Sequence, residues 1–155
     1  MIPDEVREAW DRRPAGAEME AEWQQSFDAY RGAHPDLADE FLRRLRGELP
    51  ADFSDQADAY IADCVAAAND VASRKASQKS LNALGPHLPE LLGGSADLAG
   101  SNLTLWSGAQ GVSAASAEGN YVYYGVREFA MAAIMNGVAL HGGFIPYGAT
   151  SSFSW

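Results

Sequence analysis

The stretch 121–150, YVYYGVREFAMAAIMNGVALHGGFIPYGAT, constrains the fold more than any other part of the chain. YVYYG is β-branched and aromatic, the composition of a strand. Residues 127–141 have the length of a helix and are apolar nearly all round, which predicts a buried helix. GFIPYGAT reads as a further strand, although Pro146 weakens that reading. Strand, helix and strand in succession impose a crossover, and therefore a parallel sheet with helices on its faces. Upstream, ELLGGSADL (90–98) reads as another strand running into a loop. SGAQGVSAASAEGN (107–120) reads as a surface loop. The expected fold class is α/β, a doubly wound parallel sheet, in which ligands sit beyond the carboxyl ends of the strands. On that rule Asp97, after the first strand, and Glu128, after the second, share one edge. A carboxylate in a first helical turn is also what the helix dipole favours.

Charge divides the chain. Residues 1–70 carry 17 Asp and Glu against 7 Lys and Arg, whereas residues 71–155 carry 4 of each. Glycine runs the other way, with 3 in the first part and 12 in the second. The acidic part reads as a run of amphipathic helices: 3–12, 17–31, 35–50, 55–72 and a fifth from Ser73, a residue suited to capping it. Met19, Trp23, Phe27 and Tyr30 form one stripe on the second helix, and Ala57, Tyr60, Ile61, Cys64 and Val65 one face of the fourth. Trp10, Trp23 and Phe27 are expected in the core. The negative charge argues against nucleic acid, which needs clustered Lys and Arg. No apolar run has membrane-spanning length and MIPDEVREAWDRR lacks a signal-peptide pattern, so no membrane is expected. The single cysteine, Cys64, suggests a reducing compartment, and the expected setting is the cytoplasm.

Several chemistries are excluded by motif. Neither GxGxxG nor GxxxxGK[ST] is present, and there is no GxSxG elbow. His34, His87 and His141 are far apart in sequence and Cys64 has no CxxC partner, leaving no metal-ligand spacing. His141 reads as a helix-end residue favoured by the dipole.

The motifs RKASQ, GGSADL, SNLT and GVREF, in that order, resemble the transketolase family. The likeness covers 73–108 and 119–150, and the acidic segment resembles the family's passage from its diphosphate-binding to its pyrimidine-binding domain. It implies a helical lead-in over 1–70 and an incomplete thiamine-diphosphate pyrimidine-binding domain over 71–155. The activity implied is transfer of a two-carbon ketol unit from a ketose phosphate to an aldose phosphate, in a homodimer. Glu128 is implied to hydrogen-bond ring nitrogen N1′ of the aminopyrimidine, in an apolar, dehydrated site that lets its carboxyl hold a proton. Asp97 is implied to line the cofactor site, and Arg74 and Ser101 to bind the sugar-phosphate end of the substrate. The divalent ion, Mg or Ca, is expected on a domain other than this one. Departures are Gly100 where the family has proline, and Ser151 and Ser154 where it has aromatics that pack on the pyrimidine. The tail SSFSW suggests a truncated fragment, expected to be inactive by itself, or one piece of a divided enzyme. A non-catalytic binding module and an inactive fragment with exposed strand edges remain open alternatives.

Overall fold

The computed structural model describes residues 2–150; the expectations for Ser151 and Ser154 fall outside the described residues. The chain forms two compact units, one up to Leu42 and one from Arg43 onward.

The first unit is helical. α1 (Asp4–Trp10) starts behind Pro3 and carries Asp4 and Glu5 in its first turn, where the dipole favours acids. α2 (Arg13–Ala33) is longer than the 17–31 expected and starts with proline in its first turn. α3 (Pro35–Leu45) follows. The aromatic stripe of α2 exists: Trp23 stacks on Phe27 at 5.1 Å between centroids, and Phe27 meets Phe41 of α3 at 5.7 Å. It is not a core, however. Trp10 is 80% and Trp23 51% exposed, Met19 and Tyr30 are exposed, and Phe27 is half-buried. Two helices in one layer have no second layer to place over the stripe.

In the second unit α3 stops in a Schellman motif rather than running to residue 50. Glu48 N–H donates to the Arg43 carbonyl and Gly47 N–H to that of Arg44, with Gly47 at φ +68°. α4 (Phe53–Ala67) ends at Ala68, φ +44°, five residues before the expected end. Only Tyr60 and Ala57 of its predicted face are half-buried, and Tyr60 bonds Ser80 of α5 at 3.2 Å. Ile61, Cys64 and Val65 are exposed, because α5 covers a narrower strip than the five-residue face. α5 (Ser73–Leu84) has Ala72, not Ser73, at its N-cap, with no side-chain cap bond.

The sheet holds β1 (Leu91–Ser95), β2 (Tyr121–Tyr123) and β3 (Ile145–Ala149) in the order β2-β1-β3, all parallel. α7 (Glu128–His141) makes the crossover from β2 over β1 to β3. Pro146 is tolerated in β3 because β3 pairs with β1 on one side only and its other side needs no ladder. The apolar helix does not follow its prediction. Met131 is its one buried residue, while Phe129 is 90% and Leu140 89% exposed. A three-stranded sheet covers one side of α7 and leaves the other open. Met131 packs with Ala96 and Tyr124, flanked by Val122 and Met135.

The amino end of β1 is fixed by an ion pair. Arg43 donates to both Glu90 carboxylate oxygens, at 2.9 and 3.0 Å, and also to the Glu48 carbonyl. The two side chains are 14% and 4% exposed. Burial pushes the Glu90 carboxyl up, but the Arg43 hydrogen bonds and the charges of Arg43 and Arg44 outweigh it and hold the carboxyl below its ordinary 4.5. The Glu90 carbonyl accepts from Ile145 N–H at 2.9 Å, so the pair anchors β3 as well.

Two outcomes are expected. Glu90→Gln removes a bidentate carboxylate from a nearly buried guanidinium and should cost about 3 kcal/mol in urea unfolding. Because the folded pKa is depressed, the pair's contribution is fully present above about pH 4.5 and is lost as pH falls through the lower folded value. The variant should therefore show a flatter acid limb of stability than the parent. Second, α1 and α2 contain no buried residue. Their amides should exchange faster than those of β1 and β3, and equal protection would contradict the packing described.

Candidate functional site

All three strands end on one edge of the sheet. Three segments leave it: Ala96–Leu98 after β1, Tyr124–Arg127 after β2 and Thr150 after β3. Asp97 is exposed, at φ +66°, a left-handed conformation uncommon for a residue other than glycine. Glu128 is the first residue of α7, where its carboxylate meets the positive end of the helix dipole. Asp97 and Glu128 thus follow adjacent parallel strands on the same edge, as topology required. Glu128 is exposed, however, and not enclosed in the apolar site expected for it, because the helix it heads is open on its outer side. Its hydrogen bond among the described residues comes from the Thr150 hydroxyl, at 3.4 Å to Oε1.

The two residues implied for phosphate come together. Arg74, exposed near the start of α5, donates from Nη1 to the Ser101 carbonyl at 3.5 Å. Ser101 lies on α6 (Ala99–Asn102), a helical turn that the sequence did not suggest, and Gly100 occupies its second position. So 27 residues of separation close to one contact at the mouth of the edge.

Between Asp97 and the β2 loop lies a cavity of about 170 Å³ lined by Ser95, Asp97, Ala99, Tyr123, Gly125 and Arg127. Arg127 turns back on its own loop, its Nη1 donating to the Tyr124 carbonyl at 3.0 Å and its N–H to the Gly125 carbonyl at 2.8 Å. Beneath the edge the phenols are neutral structural groups. Burial pushes the Tyr147 hydroxyl up to about 12, with Trp106 opposing. Burial also raises Tyr121, whose hydroxyl pairs with Thr104 at 2.9 Å.

Comparison with known proteins assigns this arrangement. The profile of the transketolase pyrimidine binding domain matches residues 69–154, and that of the transketolase thiamine diphosphate binding domain matches residues 1–50. The chain belongs to the transketolase family. Transketolase 1 of Aliivibrio fischeri is 58% identical over 149 residues, 96% of this chain and 22% of that protein. Transketolase 1 of Vibrio cholerae is 55% identical over the same share. Among solved structures, a Pichia stipitis transketolase in complex with sedoheptulose 7-phosphate superposes with TM-score 0.80 at 36% identity, covering 97% of this chain and 23% of that one. Transketolase from Leishmania mexicana gives 0.75 at 36%, covering 97% and 22%. The chain spans about a fifth of the length of these relatives. The pyrimidine-domain match runs through residue 154, so Ser151 and Ser154 lie inside it.

The donor set fits one side of thiamine diphosphate. Glu128 is an exposed carboxylate, of the kind that could meet a ring nitrogen, and the exposed rings of Tyr123 and Phe129 lie close to it in sequence. No group of three or more His, Cys, Asp or Glu placed to hold a metal occurs among the described residues. No helix among them is long and apolar enough to cross a membrane. His141 closes α7 as expected, its Nδ1 3.1 Å from the Gly142 carbonyl. Sequence reasoning missed Ser95, Asn102, Arg127 and Thr150. Each stood inside or beside a quoted motif, but nothing in spacing says that a strand-end serine meets an asparagine seven residues on.

The β2–α7 loop has a sharp requirement. Gly125 sits at φ +66°, and a Cβ there would lie 2.9 Å from Arg127 Nη1. Gly125→Ala should cost about 1–2 kcal/mol through the left-handed backbone alone. It should also displace the Arg127 guanidinium, seen as a shifted Nε–Hε resonance. An unchanged melting curve would show that the loop relaxes freely.

Proposed function

We propose that this chain is the pyrimidine-binding part of a transketolase-type transferase, which moves a two-carbon ketol unit from a ketose phosphate to an aldose phosphate. The observation that carries the proposal is Glu128, an open carboxylate at the start of α7 on the carboxyl edge of a family-matched parallel sheet. Residues 1–70 are assigned as the helical lead-in and 71–155 as the pyrimidine-binding domain.

When bound, thiamine diphosphate supplies the nucleophilic carbon and the electron sink that carbon–carbon cleavage needs. Glu128 holds a proton at N1′ of the aminopyrimidine, and Thr150 fixes the carboxyl's orientation through Oε1. Asp97 lines the neighbouring wall. Arg74 and Ser101 grip the sugar phosphate, the guanidinium as a fork and the hydroxyl as a single donor. The Mg or Ca ion, the partner subunit of a homodimer and the remainder of the diphosphate domain, whose profile matches residues 1–50, belong to the rest of the assembly, and the setting is cytoplasmic. By itself the segment is assigned no turnover.

The test places this segment in a complete transketolase. Glu128→Gln keeps shape and a hydrogen-bonding group but removes the acid, so kcat should fall by about 10²–10⁴. Arg74→Ala should act mainly on KM for phosphorylated sugars, because it grips a group remote from the reacting carbons. If Glu128→Gln leaves C2 proton exchange of the cofactor unchanged, the role is wrong and Glu128 is a helix-dipole acid only.

A further inference from the structure

Ser95 closes β1 and is 2% exposed. A hydroxyl has one proton to give and two lone pairs. Ser95 gives its proton to the Ala149 carbonyl at 3.1 Å and accepts Nδ2–H of Asn102 at 2.9 Å. Its carbonyl accepts Tyr124 N–H at 3.3 Å and Asp97 N–H at 3.1 Å. One residue therefore ties the end of β3, the loop after β2, the loop after β1 and the end of α6.

α6 needs that tie. Four residues are far too few for a helix to persist unaided. The next residue, Leu103, is left-handed at φ +57°, so the turn does not continue into a longer helix. The Asn102 amide is the side-chain anchor that holds it to the sheet. Ser101, one residue before, inherits its position, and Arg74 reaches the Ser101 carbonyl. On the other side Ala149 precedes Thr150, whose hydroxyl donates to Glu128.

We infer that the Asn102–Ser95 hydrogen bond is a positioning device: it sets Ser101 for a phosphate ligand and, through Ala149 and Thr150, couples that position to the Glu128 carboxylate. Asn102 and Ser95 act through Ser101 and Glu128 and touch no ligand themselves. The phosphate half of the inference rests on the sugar-phosphate reading above; the coupling half does not.

The experiment uses the 155-residue chain, isotope-labelled, with Asn102→Ala, Ser95→Ala and the double variant. Without ligand, amide exchange at Ser101 and Asn102 should rise about tenfold in either single variant, the value of one hydrogen bond, while Gly93 and Gly94 keep their rates. The double variant should match Ser95→Ala, since that change already removes the Asn102 bond together with the one to Ala149. The side-chain carboxyl ¹³C resonance of Glu128 should shift in Asn102→Ala, which a merely local role of Asn102 would not cause. Asn102→Leu, close in shape but with neither donor nor acceptor, should behave as Asn102→Ala, and the two position-102 variants with the Glu128 signal carry the test if Ser95→Ala does not fold. Inorganic phosphate is then titrated against the Ser101 amide, and its Kd should rise about tenfold in the single variants. Unchanged exchange at α6, additive effects or a stationary Glu128 signal overturn the inference. If the parent chain itself gives no phosphate response, the sugar-phosphate reading fails, and the exchange cycle with the Glu128 signal alone decides the positioning role.

Discussion

The second unit depends on β1 pairing with a strand on each side. Among the described strands it alone has two neighbours, and both ladders run through Gly93 and Gly94. A Cβ on Gly93 would lie 2.0 Å from the Tyr147 carbonyl oxygen, and one on Gly94 1.9 Å from that of Val122. No side chain fits at either place, so the close approach of the three strands requires this glycine pair. Everything functional is then hung from the ends of β1. Arg43 and Glu90 hold the amino end, and Ser95 holds the carboxyl end.

The two ends use different physics, and the division suits their tasks. The amino end is held by a nearly buried ion pair, which tolerates no loss of either partner. It carries no candidate chemistry. The carboxyl end is held by neutral hydrogen bonds of Ser95, two through its hydroxyl and two through its carbonyl, each modest. A charged clamp there would have placed a fixed counter-ion near the exposed Glu128 carboxylate. Arg127 is the one cation of the β2 loop, and its guanidinium is turned onto the Tyr124 carbonyl.

The sheet and its edge were legible from residues 90–150 because period and composition report backbone state directly. β1, β2, α7 and β3 lie where ELLGGSADL, YVYYG, the apolar run and GFIPYGAT put them. Burial was not legible, because the same pattern describes a helix covered by its own chain and one whose cover lies elsewhere. Phe129, Leu140, Trp23 and Val65 all failed in that direction. α6 was hidden for another reason. AGSN has no propensity signal, and Asn102 ties its turn to Ser95 through a contact that exists only in the folded state. Ser73 likewise looked like a cap, yet the chain places Ala72 there and spends Ser73 on the first turn.

The exposure of Glu128 and that of α7 are one fact seen twice. Phe129 follows Glu128 directly and is 90% exposed, and the apolar row continues through Ile134 to Leu140. A helix with that much uncovered apolar surface gains free energy from any apolar surface laid over it, at about 25 cal/mol per Å². A cover that reaches Phe129 also removes water from the carboxylate one residue away. The open face of α7 and the exposure of Glu128 at its head therefore have one structural origin. Among the described residues the Thr150 hydroxyl, at the strand edge, is the group that donates to that carboxyl.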